Sequence, residues 1–427
     1  MPSKPRTGLT LILLAVLAVG GETVLAQDVE AEVSEEEAPE EEVPEDSASG
    51  ALDDSTGSIE ADELSVTDFL YKGWQRSGNL RFGYVRSESD ERDGSEGTTS
   101  DWRGRVRYGG RYSVNDWLKF NARLAVACTS RDCDPELSLD PSDTQVLSVD
   151  QGTVTFDEFY LHAFRLKRFD VAIGRLQTKF TTRAGVYAKS LDRNNSNAVN
   201  INWTDGVHGA YHLPDESIIH FIAEYNDKNG ASNVRRNPLD FSRSSARWGY
   251  FVAWESLKRL GPFTQRGIDI TYLPSSLLQE GVSSGPREDY IGIVARLATA
   301  RPFGDKGRRW NVTGEIGYAP ETPTHAAVDL AGDGDVDGLA WAVTASIMDL
   351  WPSHSIGINY ANTDAGWLLS PQYRDNEELF EIRYLWRKSD KLVIEARVRW
   401  REELERELNQ SQKLDEFDFF ARFTLGF

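Results

Sequence analysis

From about Gly78 to the final Phe427 the chain alternates apolar and polar residues with a period of two, and it does so in sixteen separate segments. Leu80, Phe82 and Tyr84 share one face of the first. Trp102, Val106, Tyr108 and Tyr112 alternate with Arg103, Arg105, Arg107 and Arg111 in the second. Leu392, Ile394, Ala396, Val398 and Trp400 alternate with Glu395, Arg397, Arg399 and Arg401 near the end. The segments fall at 78–87, 101–114, 116–128, 151–165, 168–176, 203–213, 217–226, 247–256, 264–273, 288–299, 309–319, 338–350, 354–362, 376–388, 391–401 and 414–427. Short connections, such as Asn115, Leu166-Lys167, Pro214–Glu216 and Ser389-Asp390, alternate with long ones at 88–100, 129–150, 177–202, 227–246, 320–337 and 402–413. A soluble sandwich has no reason to sort its loops by length. A transmembrane antiparallel β-barrel does, with short periplasmic turns and long extracellular loops. The repeat of about 22 residues per strand plus connection suits a tilted spanning strand of about 9–11 residues. The reading is therefore all-β, a sixteen-stranded barrel over 72–427.

Charge and the N-terminus agree. The 427 residues hold 47 basic and 68 acidic side chains, a net charge of −21. The excess sits in 27–71, which has acidic residues and no Lys or Arg. That segment has too little apolar surface to offset ordering entropy, so it reads as a disordered acidic periplasmic tether. The rest is nearly balanced, which excludes bulk nucleic-acid binding, because counterion release needs a basic surface. Mean hydropathy of −0.48 argues against spanning helices and leaves a barrel open. Residues 1–26 read as a secretory signal peptide: Lys4 and Arg6, an apolar run over Leu9–Val19, and small residues ahead of Gln27. In an exported chain, Cys128 and Cys133 read as one local disulfide.

At the other end Phe417, Phe419, Ala421, Phe423, Leu425 and Phe427 form one face. An apolar alternation closing on a terminal Phe resembles the signal by which the barrel assembly machinery recognises outer-membrane proteins. The whole of 78–427 resembles a sixteen-stranded Gram-negative porin. Within it, Phe156–Phe164 followed by Asp170–Phe180 resembles the phosphate-selective porin group, through Glu158, Tyr160, Leu161, Gly174-Arg175 and Lys179-Phe180. The resemblance implies localisation in the outer membrane beneath lipopolysaccharide, passive diffusion of small hydrophilic solutes through a water-filled lumen, no enzymatic activity, and often assembly as a homotrimer.

In such a barrel the polar residues opposite each apolar stripe face the lumen. Arg or Lys at the midplane of the lipid face costs about 2–4 kcal/mol. Arg81, Arg103, Arg105, Arg107, Arg111, Lys119 and Arg123 on the first three strands are thus channel-lining. So are Arg383, Arg397, Arg399 and Arg422 on the last three, and closure joins the two sets into one basic wall, with Glu381, Glu395 and Asp418 interleaved. The third long loop, which in porins folds inward, carries Lys179, Arg183, Lys189 and Arg193 against Asp192. Loops 88–100 and 129–150 are acidic. A basic constriction below acidic outer loops points to an anion-preferring pore for phosphate or carboxylate solutes. A mixed transverse field with little selectivity is the other reading.

Two metal-like patterns remain. Asp333, Asp335 and Asp337, with Gly338 following, match the first half of a calcium loop, but Thr344 stands where the bidentate Glu belongs. A loop-bound Ca2+ and a solvated acidic turn are the two readings, and no other cofactor is indicated. His162, His208, His212 and His220 fall where they can face the lumen, without a spacing that demands a metal. No Ser/His or Asp/His constellation of an outer-membrane hydrolase is readable. A structural barrel tethering the envelope through its acidic tail is the alternative function.

Overall fold

The computed structural model describes residues 73–130, 133, 136–137, 153–166, 168–176, 186–187, 190–192, 204–226, 237–280, 285–304, 307–370 and 373–427. The signal segment 1–26 and the acidic segment 27–71 lie outside them. The strands are β1 (Trp74–Asp90), β2 (Glu96–Asn115), β3 (Leu118–Thr129), the two-residue β4 (Glu136–Leu137), β5 (Thr153–Leu166), β6 (Phe169–Leu176), β7 (Thr204–His212), β8 (Ser217–Tyr225) and β9 (Trp248–Ser256). They continue as β10 (Gln265–Leu278), β11 (Arg287–Pro302), β12 (Arg309–Tyr318), β13 (Leu339–Trp351), β14 (His354–Thr363), β15 (Glu377–Ser389), β16 (Leu392–Glu403) and β17 (Asp415–Gly426).

Apart from β4, which lies parallel to the start of β5, each strand pairs antiparallel with its neighbours in sequence. The first and last then pair with each other, from Asn79 opposite Gly426 to Asp90 opposite Asp415. The sheet is a closed wall of sixteen strands, as the sixteen alternating segments require. Closure removes the open edges that would otherwise leave backbone N–H and C=O groups unpaired in lipid. Phe427 completes the seam. Its N–H donates to the Gly78 carbonyl at 2.9 Å, and the Gly78 N–H donates to the Phe427 carbonyl at 2.8 Å. The Phe427 ring lies over Gly78, where any β carbon would collide with it, and faces Tyr108 with ring centroids 6.3 Å apart.

Strand parity sorts the side chains. Phe82, Tyr84, Trp102, Val106, Tyr108, Leu124, Ile173, Phe221, Ile268, Ile293, Leu297, Ile316 and Ile358 are exposed on the outer face. Their polar neighbours one residue away point inward. This is the reverse of a soluble domain, and it is stable only where the outer solvent is apolar.

One connection differs from its sequence reading. The loop expected over 88–100 is a five-residue turn, 91–95, because β1 and β2 continue pairing to Asp90 opposite Glu96. Ser, Thr, Glu and Asp on both faces erase the alternation there, yet their backbones still pair. Gly94, at φ 90°, makes the reversal, and Asp93 Oδ1 accepts from the Ser95 N–H at 2.8 Å. Beyond β3, Cys128 is disulfide-bonded to Cys133, as their spacing suggested.

Candidate channel interior

Cross-strand register places all eleven predicted wall residues on the inner face. Arg81 stands opposite Arg105, Asn79 opposite Arg107, and Gly83 opposite Arg103. Arg111 faces Asn121, which its Nε reaches at 3.2 Å, and Lys119 faces His162. Arg383 faces Arg397, Arg399 faces Asp418, and Arg422 faces Glu395. The two groups nonetheless differ in charge.

On β15–β17 five inward arginines, Arg383, Arg397, Arg399, Arg401 and Arg422, meet carboxylates. Arg422 reaches Glu395 at 2.5 Å, and Arg399 reaches Asp418 at 2.6 Å. Arg383 bridges Glu381 at 3.1 Å and Glu395 at 3.5 Å, and Arg397 bridges Asp418 and Glu381. Arg401, also inward, reaches Glu377 at 3.5 Å. This part of the expected basic wall is a neutral ion-pair lattice. The cause is register: carboxylates at alternate positions land beside arginines of the next strand.

On β1–β5 the balance is basic. Arg81, Arg103, Arg105, Arg107, Arg111, Lys119 and Arg123 share the inner face with Asp101, Asp157 and Glu158. Asp157 takes both Arg107 at 2.6 Å and Arg123 at 3.0 Å, Glu158 pairs with Arg123 at 2.8 Å, and Asp101 with Arg103 at 3.3 Å. Half-way round the wall the sign reverses. Glu224, Glu255, Asp269 and Glu315 line β8–β12, with Arg296 among them. Among the described residues the inner wall is thus basic on β1–β3 and acidic on β8–β12.

The predicted constriction residues Lys179, Arg183, Lys189 and Arg193 lie outside the described residues. Other parts of the same loop are described, and they are inside the barrel. Val186, Tyr187, Ser190, Leu191 and Asp192 are all buried. Tyr187 Oη donates to the Glu381 carbonyl at 3.3 Å, and the Leu191 N–H donates to Glu315 at 2.7 Å. Asp192 pairs with Arg296 at 3.1 Å, and Arg296 also holds Asp269 and reaches Glu315 at 3.3 Å. The described residues of the third long loop lie inside the wall, and Asp192 among them joins a buried cluster of one arginine and three carboxylates.

A second inward element was not anticipated. The connection 364–376 carries Trp367, Leu368 and Leu369 into the interior, each fully buried. Trp367 Nε1 donates to the Leu191 carbonyl at 3.1 Å, and Ser370 Oγ to the Ser190 carbonyl at 3.3 Å, so the two inward loops hold each other. Inner-face glycines provide their seats. A β carbon on Gly317 would come within 2.7 Å of the Trp367 ring, one on Gly292 would strike Leu369, and one on Gly357 would strike Val186 and Tyr187. The signal available in the sequence was an apolar run in a connection between strands, together with glycine at inward positions. Gly317→Val should displace Trp367 at a cost of roughly 1–3 kcal/mol, and single-channel conductance should rise; unchanged conductance would mean that this loop does not narrow the path.

At the loop end of the wall, Arg92 bridges Glu403 and Glu407, the latter at 2.8 Å. Burial pushes the Glu407 carboxyl above its usual range, Glu403 adds to this, and Arg92 opposes it. The three aspartates of the calcium-like segment do not converge. Asp333, Asp335 and Asp337 are exposed, and the segment runs antiparallel to 323–325, with the Val336 N–H donating to the Pro323 carbonyl at 2.9 Å. Among the described residues no group of three or more His, Cys, Asp or Glu side chains is arranged to hold a metal.

A closed sixteen-strand wall, apolar outside and charged inside, with loops folded into its bore, defines the architecture of a porin-type membrane barrel. No family model and no curated protein matches the sequence. Solved structures do match. OprB of Pseudomonas putida aligns over 84% of this chain and 96% of its own, with a TM-score of 0.53 and 12% identity. OpdL of Pseudomonas aeruginosa covers 83% of this chain and 99% of its own, at 0.49 and 12%. A BenF-like porin from Pseudomonas fluorescens Pf-5 covers 84% and 100%, at 0.48 and 13%. The chain has the fold of the sixteen-stranded outer-membrane porins.

Proposed function

We propose that the chain is a Gram-negative outer-membrane porin, a non-enzymatic water-filled channel for passive diffusion of small hydrophilic solutes, with preference for anions of the phosphate or carboxylate class. The observation that carries this is the basic excess on β1–β3. Seven cationic side chains there share one inner surface with three carboxylates, whereas among the described residues β8–β12 are acidic and β15–β17 balanced. Arginine suits the task, because its planar fork grips carboxylate or phosphate oxygens bidentately and keeps its charge. Facing it, the acidic wall orients a dipolar solute across the bore. The short turns lie on the periplasmic side with both ends of the barrel sequence, and the long connections face lipopolysaccharide. Phe427, seated at the seam, is the feature that the barrel assembly machinery would read. Insertion of the purified protein into planar bilayers should give discrete current steps. A folded, inserted barrel that passes no current would overturn the channel reading.

A further inference from the structure

The channel reading leaves unused a pair of histidines on the acidic side of the bore. His208 on β7 and His220 on β8 are diagonal neighbours on the inner face, His220 lying opposite Ala210 and His208 opposite Ile222. His208 Nε2 stands 3.1 Å from His220 Nδ1, with the rings 5.4 Å apart and inclined by 29°. On the far side of the second ring, His220 Nε2 is 3.0 Å from Glu255 Oε1 on β9. We propose that His208 and His220 form a two-imidazole site for a first-row divalent transition-metal ion, with Glu255 holding the His220 ring in place.

The chemistry follows from the three distances. Zinc-type ions sit about 2.0–2.1 Å from imidazole nitrogen. Two nitrogens 3.1 Å apart can therefore both reach one ion, at an N–metal–N angle of roughly 100°, between square and tetrahedral values. Glu255 accepts the proton on His220 Nε2, which leaves Nδ1 as the lone-pair nitrogen facing His208. A carboxylate behind a metal-binding imidazole commonly fixes the tautomer in this way. In the metal-free state His208 Nε2 carries the proton shared with that lone pair. On binding, this proton moves to His208 Nδ1 and the metal takes its place between the rings, with no net proton released. The local charge suits a cation, since Glu224 and Asp269 line the same wall. The inference stands on barrel geometry alone and holds whether or not the protein conducts.

The test is titration of the purified, folded barrel with Cu2+, followed by electron paramagnetic resonance. A single saturable ion with hyperfine structure from two imidazole nitrogens is expected. His208→Gln and His220→Gln should each weaken binding at least about tenfold, and Glu255→Gln by about tenfold. The double variant His162→Gln/His212→Gln should bind as the parent does, and folding of each is checked by heat-modifiable migration. A parent spectrum without two nitrogens, or unchanged affinity in folded His208→Gln or His220→Gln, overturns the site. Should neither His variant fold, the Glu255→Gln affinity decides, and no change there counts against the proposal.

Discussion

Replacing Arg296 by methionine should destabilise the barrel by about 3–5 kcal/mol, measured as a fall in the urea needed to unfold it in detergent or lipid. Arg296 is nearly inaccessible and serves three buried carboxylates, Asp192, Asp269 and Glu315. Methionine fills a similar volume but leaves those carboxylates beside one another with no cation. Mutual repulsion then acts in a medium where water cannot screen it. The easiest relief is expulsion of Asp192, the only member carried by a loop. Ser190 and Leu191 would follow it, and with them the hydrogen bonds that hold Trp367 and Ser370. Single-channel current should accordingly become larger or noisier. A variant with wild-type stability and an unaltered current would show that the cluster does not anchor the loop.

The second large effect concerns selectivity. Arg105 lies within a group of arginines, with Arg81 opposite it and Arg107 and Arg123 on the same inner surface. Arg103→Glu/Arg105→Glu reverses two charges: a carboxylate at 105 gains Arg81, Arg107 and Arg123 as neighbours, which offsets the loss of the Arg103–Asp101 pair. The basic excess would disappear, and the anion-to-cation permeability ratio should fall by about tenfold, the scale on which charged clefts concentrate their counter-ions. Removing the paired charges together, as Arg399→Gln/Asp418→Asn, should do much less to selectivity, because that pair, 2.6 Å apart, carries no net charge. Equal effects at the two sites would remove the distinction between the basic β1–β3 surface and the neutral β15–β17 lattice.

The strands were legible in the sequence because lipid imposes a period of two on every spanning segment. Leu80, Phe82 and Tyr84, or Val398 and Trp400, have no other place to go. The inward orientation of the arginines followed from the same constraint. Their partners were harder to foresee, since Arg422 finds Glu395 only through the register of β16 against β17. That register is fixed by turn geometry and by pairing over the whole strand. Hence the two sides of the seam differ: the arginines of β15–β17 named above stand beside carboxylates, and the cations of β1–β3 outnumber the described carboxylates near them. The inward loops were legible in part. The third long loop was expected to fold in, and Tyr187, Leu191 and Asp192 do lie inside. Trp367 escaped notice because its seat, Gly317, is made by strands remote in sequence. An isolated glycine on an inner face carries no label saying that an indole lies over it. The length of the β1–β2 hairpin was missed for the opposite reason: beyond the lipid, strands need no alternation, and polar backbone still pairs.

The most direct measurement is the reversal potential of the purified, reconstituted wild-type protein across a planar bilayer in a KCl gradient. The charge distribution on the inner wall predicts steady conductance with a reversal potential on the chloride side of zero. A cation-favouring reversal would contradict the role given to the β1–β3 arginines, and a correctly inserted barrel with no conductance would contradict the channel itself.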